Sequence, residues 1–284
     1  MLSRLPPVWL VLIGIFSVQF GAGVAKSLFH QVSPTAIGWL RLVTSSLVFL
    51  ALARPQLRHR DRADWLTVIG FGLSLGVMNW SIYQSFARIP IGVAVTLEFL
   101  GPLCLAIWGS RRLQDLLWVI LAGLGVLLLG LQSGDFSWSG LGFALLAGAA
   151  WAAYILLSAQ TGRRWPGLEG LALASLVAAV LLTPATLAYS SHQILRPRLL
   201  ALGAVVGVLS SVIPYSCELI ALRRMPAPVF SILMSLEPAA GALAGLLLLH
   251  ESLRPIQLVA MACVVTASIG ATRNGPKLSE PVPD

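Results

Sequence analysis

Ten long apolar runs leave this chain little to fold into except a bundle of membrane-crossing helices. They cover residues 8–29, 35–53, 65–87, 91–109, 115–131, 139–160, 169–190, 199–222, 228–249 and 255–272. Each approaches the ~20 residues that carry a helix across ~30 Å of hydrocarbon. Together they consume most of the chain, so no soluble domain is expected. With 57% hydrophobic and 11% charged residues, the composition excludes an ordinary soluble domain, in which about a quarter of residues are charged. The first run lacks a small-residue cleavage site and is read as an uncleaved span. The segment from residue 273 is polar and rich in proline, which predicts a disordered tail.

The net charge of +8 does not point to nucleic acid, because the basic residues sit in the short links between apolar runs, as topology signals do. With the N-terminus inside, thirteen fall on the cytoplasmic side: Arg4, Arg54, Arg58, Arg60, Arg62, Arg111, Arg112, Arg163, Arg164, Arg223, Arg224, Arg273 and Lys277. Four fall outside: Arg88, Arg196, Arg198 and Arg254. The bias predicts that both termini are cytoplasmic. Cys104, Cys217 and Cys263 lie in apolar runs without metal-ligand or disulfide spacing, so neither a metal site nor a disulfide framework is expected.

The chain repeats itself weakly. Residues 87–102, ARIPIGVAVTLEFLGP, match 223–238, RRMPAPVFSILMSLEP. In each, a proline near the helix start (Pro90, Pro226) is followed twelve residues later by a second (Pro102, Pro238), with a glutamate shortly before it. VLIGIFSVQFG (11–21) also aligns with LLAGAAWAAYI (145–155). Five spans per half is an odd number, so the second half enters the membrane in the opposite sense. Inverted repeats of this kind build secondary transporters with a site between the repeats near the midplane. The expected fold is therefore an all-α integral membrane protein of ten transmembrane helices in two inverted five-helix repeats, 1–134 and 135–272, followed by the tail 273–284. Pro90 and Pro226 suit a first helical turn. Pro102 and Pro238 lie mid-span, where each frees a carbonyl and kinks its helix.

Three carboxylates interrupt the apolar runs: Glu98, Glu218 and Glu237. A charged residue near the centre of a membrane helix costs roughly 2.5–3.5 kcal/mol on insertion scales. Glu98 lies about 12 Å past Pro90, and Glu237 about 16 Å past Pro226, by helical rise. Such residues usually face a protein-lined cavity on a transport path; the alternative is a structural ion pair or a carboxyl bonded to backbone. Burial penalises the charged form of a carboxyl, so at least one of the three is expected to exchange protons. Lys26 and Arg41 are the basic counterparts, read as partners for a substrate carboxylate or for the glutamates, against snorkelling to the headgroups. Asn79 and Tyr83, one turn apart, and Trp151, Tyr154 and Tyr215 are candidate pocket residues, against helix-packing or belt positions. His250 and Glu251 open a loop before Pro255, where a capping or hinge role is expected. No HExxH or P-loop pattern is present, which removes metalloprotease and ATPase mechanisms. No enzyme activity and no cofactor are expected. The remaining energy sources are ion gradients or the gradient of the substrate itself.

Several segments resemble the EamA family of the drug/metabolite transporter superfamily, and within it bacterial inner-membrane exporters of small amino acids. They include AKSLF (25–29), GLSLGVMNW (72–80), IPIGVAVTLEFLGPL (89–103), SRR (110–112), AYILLSAQ (153–160), IPYSCELIAL (213–222), LMSLEPA (233–239) and ESLRPIQ (251–257). The similarity spans nearly the whole chain and includes the intramembrane charges. His250 departs from it, standing where many relatives have glycine. The resemblance implies export of threonine- or homoserine-like amino acids by alternating access, coupled to protons; the sequence leaves monomer and dimer both open. The residues themselves favour a zwitterion: Arg41 or Lys26 suits a carboxylate, and Glu98 or Glu237 an ammonium. A broad drug or metabolite carrier of the same fold is the second reading, and a non-transporting membrane scaffold or receptor the third.

Overall fold

The computed structural model describes residues 5–108, 113–130, 137–194, 196–222, 224–225 and 227–274. Pro226, the segment 110–112, Arg4, Arg223, Lys277 and the tail from 275 onward lie outside the described residues. The described residues are helical with short connections. Seven stretches among them are long and apolar enough to cross a membrane: Pro7–Ser27, Pro34–Ala53, Arg62–Phe86, Trp138–Gly162, Glu169–Ala188, Pro197–Leu222 and Val229–Leu249. Three further apolar helices are shorter, Ile91–Leu105, Leu117–Leu128 and Pro255–Gly270. They coincide with the fourth, fifth and tenth apolar runs of the sequence.

The first three helices are α1 (Pro7–Ser27), α2 (Pro34–Ala53) and α3 (Arg62–Phe86). Their starts follow from local chemistry. Proline stands in the first turn of α1 and α2, where its missing N–H is harmless. The Ser33 hydroxyl accepts from the Ala36 N–H at 3.3 Å. Asp61 and Asp64 exchange side-chain-to-backbone bonds as a capping box at the start of α3.

The fourth and ninth runs are not single kinked helices. The fourth is α4 (Ile91–Glu98) and α5 (Leu100–Trp108), broken at Phe99. After α6 (Leu113–Gly130), α7 (Trp138–Gly162), α8 (Glu169–Ile194), α9 (Pro197–Gly207) and α10 (Ile213–Leu222), the ninth run is α11 (Ala227–Met234) and α12 (Glu237–Leu249), broken at Ser235 and Leu236. Both breaks lie just ahead of a proline, Pro102 or Pro238, which cannot bond back to the carbonyl four residues earlier. The eighth run also departs from a plain helix, with a π-helical turn at Val208–Val212 between α9 and α10. The last helix, α13 (Pro255–Asn274), starts at the expected proline and runs two residues into the segment expected to be tail.

Helices from the two halves of the chain interleave. α1 packs against α10 and α12, α3 against α7 and α8, α2 against α8 and α9, and α4 against α12 and α7. α6 pairs with α13. At the α4–α5 break the contact with α7 is backbone to backbone. A Cβ on Gly148 would lie 2.7 Å from the Glu98 carbonyl oxygen, and one on Gly101 would collide with the Gly148 carbonyl. Small residues give membrane helices this close approach. α12 ends at His250, which is held in the left-handed region with φ 56°.

Candidate functional site

An interior cavity of about 100 Å³ gathers most of the candidate residues. Its wall takes Arg41 from α2, Asn79 from α3, Glu98 from the end of α4, and Trp151 and Tyr154 from α7. Tyr215 and Glu218 come from α10, and Glu237 from the start of α12. The two helix breaks thus put Glu98 and Glu237 on the wall of one chamber.

Arg41 is buried at 7% exposure. Its Nε donates to Ser211 Oγ at 2.8 Å and its Nη2 to the Ser210 carbonyl at 2.7 Å. That carbonyl lies four residues before Pro214, which has no N–H to offer it. The π turn is the local consequence: the Ile213 N–H reaches back to the Val208 carbonyl instead. Single π turns inside α-helices recur at functional sites. Glycine brings α9 close enough for the contact, since a Cβ on Gly207 would stand 3.1 Å from the Arg41 carbonyl oxygen.

Among the described residues the ion pairs are Lys26–Glu251, Arg60–Glu169, and Arg164 with Asp61 and Asp64. Arg41, Glu98, Glu218 and Glu237 take part in none of them. Three buried atoms on the same wall also lack a hydrogen-bond partner: Gln19 Oε1, Asn79 Oδ1 and Ser210 Oγ. Leaving a buried polar atom unpaired costs about 1–3 kcal/mol, so the chamber favours a polar occupant. Neighbouring rings fix its aromatic wall. Phe99 meets Trp151 edge-on at 5.4 Å between centroids, and Phe71 and Tyr154 are 5.0 Å apart.

Two candidates lie elsewhere. Lys26 is away from the cavity: its Nζ pairs with Glu251 Oε1 at 2.5 Å and donates to the Ile89 carbonyl at 2.8 Å. Glu251 Oε2 accepts from the Ile91 N–H at 3.0 Å, so it caps the start of α4 rather than its own helix. Tyr83 is fully buried behind Arg41, whose guanidinium carbon is 5.8 Å from the ring centroid. Gln19, Ser210 and Ser211 were not singled out from the sequence. A glutamine inside FSVQFG was one available signal, and a serine four residues before a mid-span proline was another.

The sequence profile of the EamA-like transporter family matches residues 5–132 and again 138–273. The chain belongs to this family. Like other EamA-like transporters it is a multi-pass membrane protein, with seven apolar stretches of spanning length among its described residues. It is 40% identical to the threonine/homoserine exporter RhtA of Escherichia coli strain K12 over 276 residues, covering 95% of this chain and 93% of that one. The protein of the same name from Salmonella typhimurium strain SL1344 is 40% identical over 277 residues, covering 95% and 94%. The uncharacterized transporter YwfM of Bacillus subtilis strain 168 is 28% identical over 247 residues, covering 83% of each chain. A solved structure described only as a crystal structure of protein shares the fold. Its TM-score is 0.63 at 20% identity, over 94% of this chain and 97% of the other.

Proposed function

We propose that this EamA-like transporter exports small amino acids of the threonine and homoserine kind from the cytoplasm by alternating access, with protons moving in the opposite direction. The charge inventory of the central cavity supports this: among the described residues, a buried guanidinium that forms no ion pair shares one chamber with three carboxyls that form none either. A zwitterion supplies both missing ions. Its carboxylate fits the planar fork of Arg41. Its ammonium fits Glu98 or Glu237, and a carboxyl left over is available to a proton. Asn79, Gln19 and the aromatic wall of Trp151, Tyr154 and Tyr215 complete the enclosure. A scaffold has no use for such an arrangement. The 40% identity to exporters named for threonine and homoserine supports the same class of cargo.

In this reading the ten apolar runs are ten spans, arranged as inverted repeats over 1–134 and 135–272, with both termini in the cytoplasm of a bacterial inner membrane. Helix breaks beside both Glu98 and Glu237, at one cavity, are what two repeats related by an in-plane axis would produce. Counterflow in proteoliposomes tests the assignment. Vesicles preloaded with threonine or homoserine should accumulate the labelled amino acid, and vesicles preloaded with lipophilic cations should not. Accumulation with the cations alone would replace amino-acid export by drug efflux.

A further inference from the structure

A second cavity, of about 250 Å³, adjoins the central one, and Tyr154, Tyr215 and Glu218 line both. Most of the rest of its wall comes from the end of α7, the start of α8 and the link between them, including Ser158, Thr161 and Trp165, with Phe71 of α3 and Leu219 and Leu222 of α10 closing it. The Lys and Arg distribution assigns this end to the cytoplasm. Two features mark it as more than a packing defect. Thr161 is 1% exposed, and its hydroxyl oxygen has no hydrogen-bond partner. Glu218 is the one carboxyl among the lining residues, and no described cation pairs with it. Ser158 is already engaged, donating to the Ile155 carbonyl at 3.0 Å. The polar positions open to a ligand therefore include a carboxyl at the inner end and a hydroxyl on the wall.

We propose that this vestibule is a second binding site, an entry station for the ammonium end of the amino acid on its way to the central cavity. The proposal rests on the export reading above. Glu218 is the shared element: an ammonium bonded to it in the vestibule keeps the same partner while the rest of the molecule passes between Tyr154 and Tyr215. A charged group that keeps one carboxyl partner avoids being stripped of every partner midway, which in a low-dielectric passage is the expensive step. The Thr161 hydroxyl holds the polar body of the molecule before transfer, and the larger volume lets part of its hydration stay with it.

Gly162 lines the vestibule, and a Cβ there meets nothing within 4 Å. A Gly162→Cys variant in a background with Cys104, Cys217 and Cys263 replaced by alanine thus places a reactive thiol in the site. Modification by a cationic methanethiosulfonate is followed with and without threonine. Threonine should slow modification, and should still do so when Arg41→Ala disables the central site. Thr161→Val, close in shape, should weaken the protection about fivefold, the loss of one hydrogen bond. Glu218→Gln should abolish it. Protection that disappears with Arg41→Ala, in a variant that still elutes as a folded, monodisperse protein in detergent, would mean one site only and overturn the proposal. So would an absence of protection in a protein that exports threonine. If the unsubstituted protein moves neither threonine nor homoserine, the export reading falls and the vestibule proposal falls with it.

Discussion

Lys26 and Glu251 form one half-buried ion pair, 2.5 Å from Nζ to Oε1, that ties the end of α1 to the loop before α13. The second carboxylate oxygen of Glu251 caps α4 through the Ile91 N–H. One side chain therefore joins three elements at the end of the bundle opposite the vestibule. Glu251→Gln keeps an acceptor for Ile91 but removes the negative charge opposite Lys26, which retains only the Ile89 carbonyl. It should lower stability by about 1.5–3 kcal/mol, the range for hydrogen bonds to charged groups. Adding Lys26→Met should recover part of that loss, because replacing both partners of a buried pair is far milder than removing one. Thermal unfolding of the single and double variants in detergent checks the order.

His250 ends α12 with φ 56°, a conformation that costs an L-residue roughly 1–2 kcal/mol and a glycine almost nothing. His250→Gly should raise stability by about 0.5–1 kcal/mol after the extra chain entropy of glycine is set against it. A thermal midpoint that falls would show that the imidazole makes a compensating contact.

Pro214 shapes the site without being its most visible residue. Its missing N–H leaves the Ser210 carbonyl to Arg41, 2.7 Å away. In Pro214→Ala the new N–H competes for that carbonyl and the π turn loses its cause. Stability should hold or rise, since proline is about 3 kcal/mol worse than alanine inside a helix. Export should drop several-fold through a higher KM as the Arg41 fork loses one anchor. Paired melting and transport measurements separate the two effects.

Much of this architecture is legible in the chain itself. The apolar runs mark the helices, and the Pro–Glu–Pro recurrence points to Glu98 and Glu237 as partners, because a proline and a carboxyl at membrane depth both have recognisable costs. The anchoring of Arg41 is not legible in this way. It depends on a carbonyl freed by Pro214 and on glycine spacing between α2 and α9, and neither shows up as hydrophobic periodicity. The placement of Lys26 is hidden for a different reason. Spacing puts it beside Arg41 in depth, but its partner is 225 positions away in sequence, and only the packing of α1 against α12 brings them together.

Glu98 and Glu237 face the same cavity from the two helix breaks. Glu98→Gln and Glu237→Gln should each reduce export strongly while leaving membrane insertion intact, as checked by flux against protein recovered in the membrane. In the unsubstituted protein, acidifying the outer side at a fixed amino-acid gradient should speed export, and at least one of the variants should lose that response. Rates indifferent to the pH gradient, with no proton flux, would make the protein a facilitated-diffusion carrier.

The proposed export mechanism has Arg41 read the carboxylate of a zwitterionic cargo. Competition in threonine counterflow tests it most directly, with free threonine set against threonine methyl ester, which keeps the ammonium and side chain but lacks the carboxylate. The ester should compete at least tenfold more weakly than the free acid, and Arg41→Lys should reduce threonine transport while narrowing that difference, because a lysine keeps the charge without the fork. Equal competition by ester and free acid would contradict the account and leave Arg41 a structural residue.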